Sequence, residues 1–170
     1  MNHSSKNALN FTQFLATHRP SAAATMNGSP DYPGLTGRVL FYPLNDRYTI
    51  VVSRFEGLPV GKNACENRFF ALHIHNGLAC TGNATEPFAD AGVHDNLDDC
   101  PHPSHAGDLP TILGTAGGMS WSAVLTDRFS VREVLGKPVV LHLRPDDFRT
   151  QPAGNAGEKI ACGIIRKLYH

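Results

Sequence analysis

The chain has 170 residues, with 15 Lys and Arg against 15 Asp and Glu, so its formal charges cancel. That length favours one domain able to bury its own core. The charge balance argues against a general nucleic-acid binder and against a polybasic membrane anchor. The apolar runs are too short to cross a bilayer as a helix.

Residues 1–20 carry Leu9, Phe11, Phe14 and Leu15 among polar neighbours, without the continuous apolar stretch of an export signal. Residues 1–21 are expected to form a mobile arm, with a short helix from Leu9 to Leu15 as the alternative. If Met1 is the natural start, the expected location is cytoplasmic; it is extracellular if an N-terminal segment has been removed. The domain proper is expected over residues 22–170.

From about residue 36 the pattern is that of β-strands. Residues 38–42 (RVLFY) and 48–54 (YTIVVSR) flank a turn at 43–46, and 69–75 (FFALHIH) form the next strand. Residues 77–118 are rich in Gly, Pro, Asp, Asn and Cys and far exceed an ordinary connection, so they are functional or disordered. Strands resume at 119–126, 137–143 and 159–166. Ser130 and Glu133 fit a capping box, with Gly136 as the stop of a short helix. Short strands, scattered Gly and Pro and two irregular loops point to an all-β antiparallel sandwich or barrel.

Nine histidines are present, with His3, His18 and His170 near the ends. His73 and His75 are two apart on a strand and share one face, while Phe70, Leu72 and Ile74 take the other. Alone, such a pair is either a metal pair or two surface histidines. In 138–143 (PVVLHL), Val139, Leu141 and Leu143 share one face and Val140 and His142 the other, so His142 could complete a set with His73 and His75. The loop supplies His94, His102, His105 and Asp108, three imidazoles and a carboxylate within fifteen residues. That donor set suits tetrahedral zinc. With Asp95, Asp98 and Asp99 nearby, a simple acidic loop is the alternative.

These residues carry a resemblance. HIH at 73–75, AGVHDN at 91–96, HAGDLP at 105–110, VVLH at 139–142, PDD at 145–147 and GNAGEKIACGII at 154–165 stand in the order found in the copper–zinc superoxide dismutase family. The chain resembles that family over roughly residues 22–166. The resemblance implies an eight-stranded Greek-key β-barrel, an immunoglobulin-like sandwich, with the metals held outside it under two long loops. It implies copper on His73, His75, His94 and His142, and zinc on His94, His102, His105 and Asp108. His94 would bridge the two as an imidazolate and carry a proton. Asp146 would link one copper ligand to one zinc ligand, fixing their orientation. Asp147 reads as a loop charge.

The reaction implied is disproportionation of superoxide to O2 and H2O2 by one-electron steps at copper, zinc being unable to change oxidation state. The family sets an arginine beside copper in GNAG-x-R, where this chain has Lys159. Lysine keeps the charge but loses the rigid fork, so a slower enzyme is expected; an exposed strand-end lysine is the alternative. Arg144 and Arg149 in the short second loop are steering charges or, more simply, solvated ones. Four cysteines allow three pairings. The resemblance points to Cys80–Cys162, and elimination leaves Cys65 and Cys100 for a second bridge, with free thiols as the alternative. The expected partner is superoxide, without nucleic acid or membrane, and a homodimer is left open. A copper chaperone or store on the same barrel is the competing reading, and a barrel that has lost activity the third.

Overall fold

The computed structural model describes residues 10–61, 63 and 65–169. Among the described residues, nine strands run in chain order: β1 (Ala22–Gly28), β2 (Thr36–Pro43), β3 (Thr49–Glu56), β4 (Phe69–Phe70), β5 (Leu72–Ile74), β6 (Ile112–Leu113), β7 (Ser120–Thr126), β8 (Pro138–His142) and β9 (Lys159–Lys167). Every pairing is antiparallel. Seven strands form one sheet in the order β5-β8-β9-β1-β2-β3-β7, and β4 pairs with β6. Only Ala71 separates β4 from β5, so one stretch of chain joins the two sheets and the whole curls into a barrel-like wall.

Alternation along the strands sorts the side chains. Leu72 and Ile74 of β5, Val139 and Leu141 of β8, and Val39 and Phe41 of β2 enter one central core with Met26, Phe55 and Ile165. His73, His75 and His142 therefore point outward, yet each is buried, because the long loop and the second loop cover that face. Val140, also outward, packs with Phe88, Ala91 and Cys162 under the loop.

β1 is a strand the residue pattern did not announce. Its sequence AAATMNG is poor in the β-branched and aromatic residues that mark strands. It lies between β2 and β9, pairing Ala24 with Val39 and with Ile165. Ala22, Ala24 and Met26 are wholly buried there. Tertiary pairing overrides local preference.

The described part of residues 1–21, expected as a mobile arm or a short helix, contains a helix packed on the barrel. The α1 helix (Phe11–Thr17) is capped by Asn10, whose side chain accepts from the Gln13 N–H at 3.0 Å. Phe14 inserts against Tyr42, Ile50 and Val52 on the outer face of β2 and β3, and the His18 ring stacks on it at 4.0 Å. Apolar contacts of Phe11, Phe14 and Leu15 seat this segment on the sheet. The expected helix start at Leu9, and His3 and His170, lie outside the described residues. A second helix, α2 (Val131–Val134), follows Ser130, whose N–H and hydroxyl both donate to Glu133 Oε2.

Cys80 and Cys162 form a disulfide, tying the long loop to β9. The second bridge does not exist: Cys65 and Cys100 are free. Each is fixed within its own local turn. The Asn96 side chain closes on the Cys100 backbone through two hydrogen bonds, and the Asn63–Glu66 contact closes the turn around Cys65.

Candidate metal centre

β5 organises the centre because its two edges have different partners. One edge pairs with β8, setting Leu72 opposite Leu141 and Ile74 opposite Val139. The other receives the long loop. Asp95 N–H donates to Ile74 O, Ile74 N–H donates to Gly107 O, and Gly107 N–H donates to Asp95 O. This docking sets His73 opposite Asp108 and His75 opposite His94. Gly107 is required there, since a Cβ would collide with the Ile74 carbonyl. Residues distant in the chain thus meet over the outward face of one short strand.

Two groups of ligand atoms result, each with all its atoms within 4.8 Å of one another: His73, His75, His94 and His142, and His94, His102, His105 and Asp108. His94 belongs to both. The histidines are oriented by what their other nitrogens do. His73 Nε2–H donates to Asp146 Oδ2 at 3.0 Å, and His102 Nε2–H donates to Asp146 Oδ1 at 2.9 Å. His75 Nδ1–H donates to Gly92 O at 3.0 Å, and His142 Nδ1–H donates to Gly157 O at 3.1 Å. A neutral imidazole has one N–H, so each of these rings turns a lone pair inward. Among the described residues none hydrogen-bonds Nδ1 of His73, Nε2 of His94, or Nδ1 of His102 and His105, though all are buried.

The inward atoms suit only a positive centre. His75 Nε2 and His142 Nε2, two lone pairs, face each other at 3.2 Å. The His102 Nδ1 lone pair lies 3.0 Å from Asp108 Oδ2, and His105 Nδ1 lies 3.4 Å from the same oxygen. Buried acceptors facing acceptors would be costly, and a cation turns each contact from repulsive to attractive. Four imidazoles fit copper, and three imidazoles with a carboxylate fit zinc.

Electrostatics agrees. Burial pushes the His142 pKa down to about 3, with neighbouring His73 adding to the effect. Burial and the facing His142 hold His75 well below the ordinary range, and burial likewise lowers His73. These rings stay neutral and free to ligate. Burial would raise both carboxylates, but hydrogen bonding and charge from the histidines hold Asp108 below its usual range. The His73, Phe148 N–H and His102 bonds do the same for Asp146.

The structure brings together every ligand residue read from the sequence, and Asp146 with them. Gly154, at φ +61°, permits this approach, since a Cβ there would strike Asp146 and His102. Asp147 is an exposed loop group accepting from Arg149 N–H, Thr150 N–H and the Thr150 hydroxyl. Lys159 sits at the rim as the cross-strand neighbour of His142. Its Nζ is engaged by Glu86 Oε1 at 2.7 Å and Phe88 O at 3.2 Å. Three supports escaped the sequence reading: Glu86; Arg128, whose Nη1 donates to Pro103 O and His105 O; and Lys137, which grips Asp95 beside His94. Nothing in their spacing marks them, because each contact is made only after distant segments pack.

The sequence model for copper/zinc superoxide dismutase matches residues 35–165. The chain is 31% identical over 153 residues to a Cu-Zn superoxide dismutase of Deinococcus radiodurans, covering 79% of each chain. It is 30% identical over 146 residues to the extracellular Cu-Zn superoxide dismutase of Rattus norvegicus, covering 80% of this chain but 57% of that one. It is also 26% identical over 159 residues to a rat copper chaperone for superoxide dismutase, covering 86% and 53%. The chain thus spans little more than half the length of both rat relatives.

Proposed function

The chain belongs to the copper/zinc superoxide dismutase family, and from that premise we propose that it disproportionates superoxide to O2 and H2O2. The observation that carries this reading is the shared position of His94. Its Nδ1 lies 2.8 Å from Asp108 Oδ1, its buried Nε2 has no hydrogen-bond partner among the described residues, and the residue belongs to both ligand sets. Copper would be held by His73, His75, His94 and His142, and zinc by His94, His102, His105 and Asp108. When bound, copper supplies the one-electron couple and zinc a redox-inert charge.

The protein's own residues do the rest. Asp146 accepts from His73 and His102 at once, so the two sets are mutually oriented by one carboxylate. The Gly92 and Gly157 carbonyls fix the tautomers of His75 and His142. Two superoxide ions and two protons give one O2 and one H2O2, so a proton carrier is needed at the reacting side. His94 Nε2 would hold and release that proton, while Nδ1 of the same ring stands 2.8 Å from Asp108 Oδ1 on the side of the zinc set. Lys159, at the rim, supplies positive charge for the incoming anion.

The test loads the purified protein with copper and zinc, measures both metals, and follows superoxide removal. One copper and one zinc per chain with catalytic turnover is the expected result. Stoichiometric copper without turnover overturns the reading. The match to the copper chaperone supports a second reading, copper delivery. Tightly held Cu(I) that passes to an acceptor protein, without turnover, would favour it.

A further inference from the structure

The rim contains a charge arrangement that the metal sets do not require. Lys159 is largely buried, its side chain 14% exposed, and its ammonium lies between Glu86 Oε1 and Phe88 O. Glu86, by contrast, is 55% exposed. Its position is built rather than incidental. Glu86 N–H donates to Asn83 Oδ1 at 2.9 Å, and Glu86 O accepts from Asn83 N–H at 3.0 Å and Ala89 N–H at 3.1 Å. The turn therefore aims a carboxylate at the Lys159 ammonium, the cross-strand neighbour of His142. Glu158 lines the same cleft with Glu86 and Lys159.

We propose that Glu86 restrains Lys159, so that a small anion approaching the metal centre must compete with the Glu86 carboxylate for the Lys159 ammonium. This rests on the reading of Lys159 as the anion-guiding charge. The backbone contact to Phe88 O holds the ammonium in place whether or not Glu86 is charged. Neutralising Glu86 thus frees the charge without moving it. Glu86 is a positioning and attenuating residue; it touches neither metal set.

The test uses protein loaded with copper and zinc and titrates it with azide, following the optical change of the copper centre at several salt concentrations. Four proteins are compared: unchanged, Glu86→Gln, Lys159→Ala and the double variant. Glu86→Gln is expected to bind azide about five-fold more tightly, the scale of the attraction between an ammonium and a carboxylate ~4 Å apart in a water-like dielectric, which then no longer competes with the anion. Its affinity should fall more steeply with salt. The double variant should match Lys159→Ala. Unchanged affinity in Glu86→Gln, with weakened binding in Lys159→Ala, overturns the restraint and leaves the guiding role of Lys159 standing. A gain that persists in the double variant shows Glu86 acting directly on the anion and also overturns it. Equal affinity in Lys159→Ala and the unchanged protein removes the guiding role itself, and the restraint with it. Metal content and thermal melting of each variant separate these results from misfolding.

Discussion

His75 and His142 face each other Nε2 to Nε2 at 3.2 Å, each having given its only N–H to a backbone carbonyl. Two lone pairs at that distance make the folded chain a receptor for a cation. Removal of metal should therefore destabilise it. A ligand at about a thousand times its dissociation constant stabilises by about 4 kcal/mol. For a domain of this size each kcal/mol moves the melting temperature by roughly 2–4 °C. Calorimetry after chelation should show melting roughly 8–16 °C lower, recovered on adding copper and zinc. An unchanged melting temperature would exclude metal binding by the native fold.

Acid should unfold the metal-free protein through the same rings. The His142 pKa falls to about 3 on folding, and His75 and His73 are also lowered. The unfolded chain then binds more protons than the folded one below its ordinary histidine pKa of about 6.5. Stability is full above that pH and falls as pH drops toward 3. The slope is up to about 1.4 kcal/mol per pH unit for each such ring. Asp108 and Asp146, lowered on folding, add losses at the acid end. Urea titrations of metal-free protein from pH 7 to pH 4 would measure the slope; a flat profile contradicts the burial of these rings as neutral groups.

Asp146→Asn should weaken the binding of at least one of the two metals. The amide has one acceptor oxygen, while His73 and His102 each bring an N–H to a carboxylate oxygen. One ring must lose its partner and face an N–H instead. Loss of such an orienting group commonly costs 10–100-fold in metal affinity. Competition with a chromophoric chelator should show that loss for at least one metal, with the strands intact by circular dichroism.

The centre was legible in two ways, strand periodicity for one set and the close spacing of His94, His102, His105 and Asp108 for the other. His73, His75 and His142 alternate with Leu72, Ile74, Val139 and Leu141, and a period of two fixes their common face. β1 was not legible because alanine carries no strand signal, and its place between β2 and β9 exists only in the folded sheet. The unpaired state of Cys65 and Cys100 was hidden too, since counting cysteines says nothing of which side chains meet in the fold. Glu86 lies 73 residues before Lys159 and meets it across the loop anchored by the disulfide.

That disulfide should carry measurable stability. Cys80 and Cys162 are 82 residues apart, and closing a loop of that length contributes about 4 kcal/mol in the chain-entropy model. Cys80→Ser with Cys162→Ser should lower unfolding free energy by an amount of that order. Thiol titration of the unreduced, denatured protein should find two reactive thiols, from Cys65 and Cys100. Finding none would show that these two are bridged after all.

Lys137 and Asp95 hold the long loop against the barrel next to His94. Lys137 Nζ lies 2.7 Å from both Asp95 oxygens, with side-chain exposures of 18% and 3%. Asp95 also uses its backbone N–H and carbonyl to dock the loop on Ile74 and Gly107. Lys137→Met leaves a buried carboxylate without its partner. Breaking a buried pair costs about 3–5 kcal/mol, and the partial exposure of Lys137 places the expected loss near the lower figure. Asp95→Asn combined with Lys137→Met should recover part of it, because no charge is then stranded. Since His94 directly precedes Asp95 in the chain, the single variant should also take up copper and zinc more weakly, and the double variant should lose less affinity. Urea unfolding and metal titration on the same samples would measure both; equal stability in all three proteins would show that the pair contributes nothing to docking the loop.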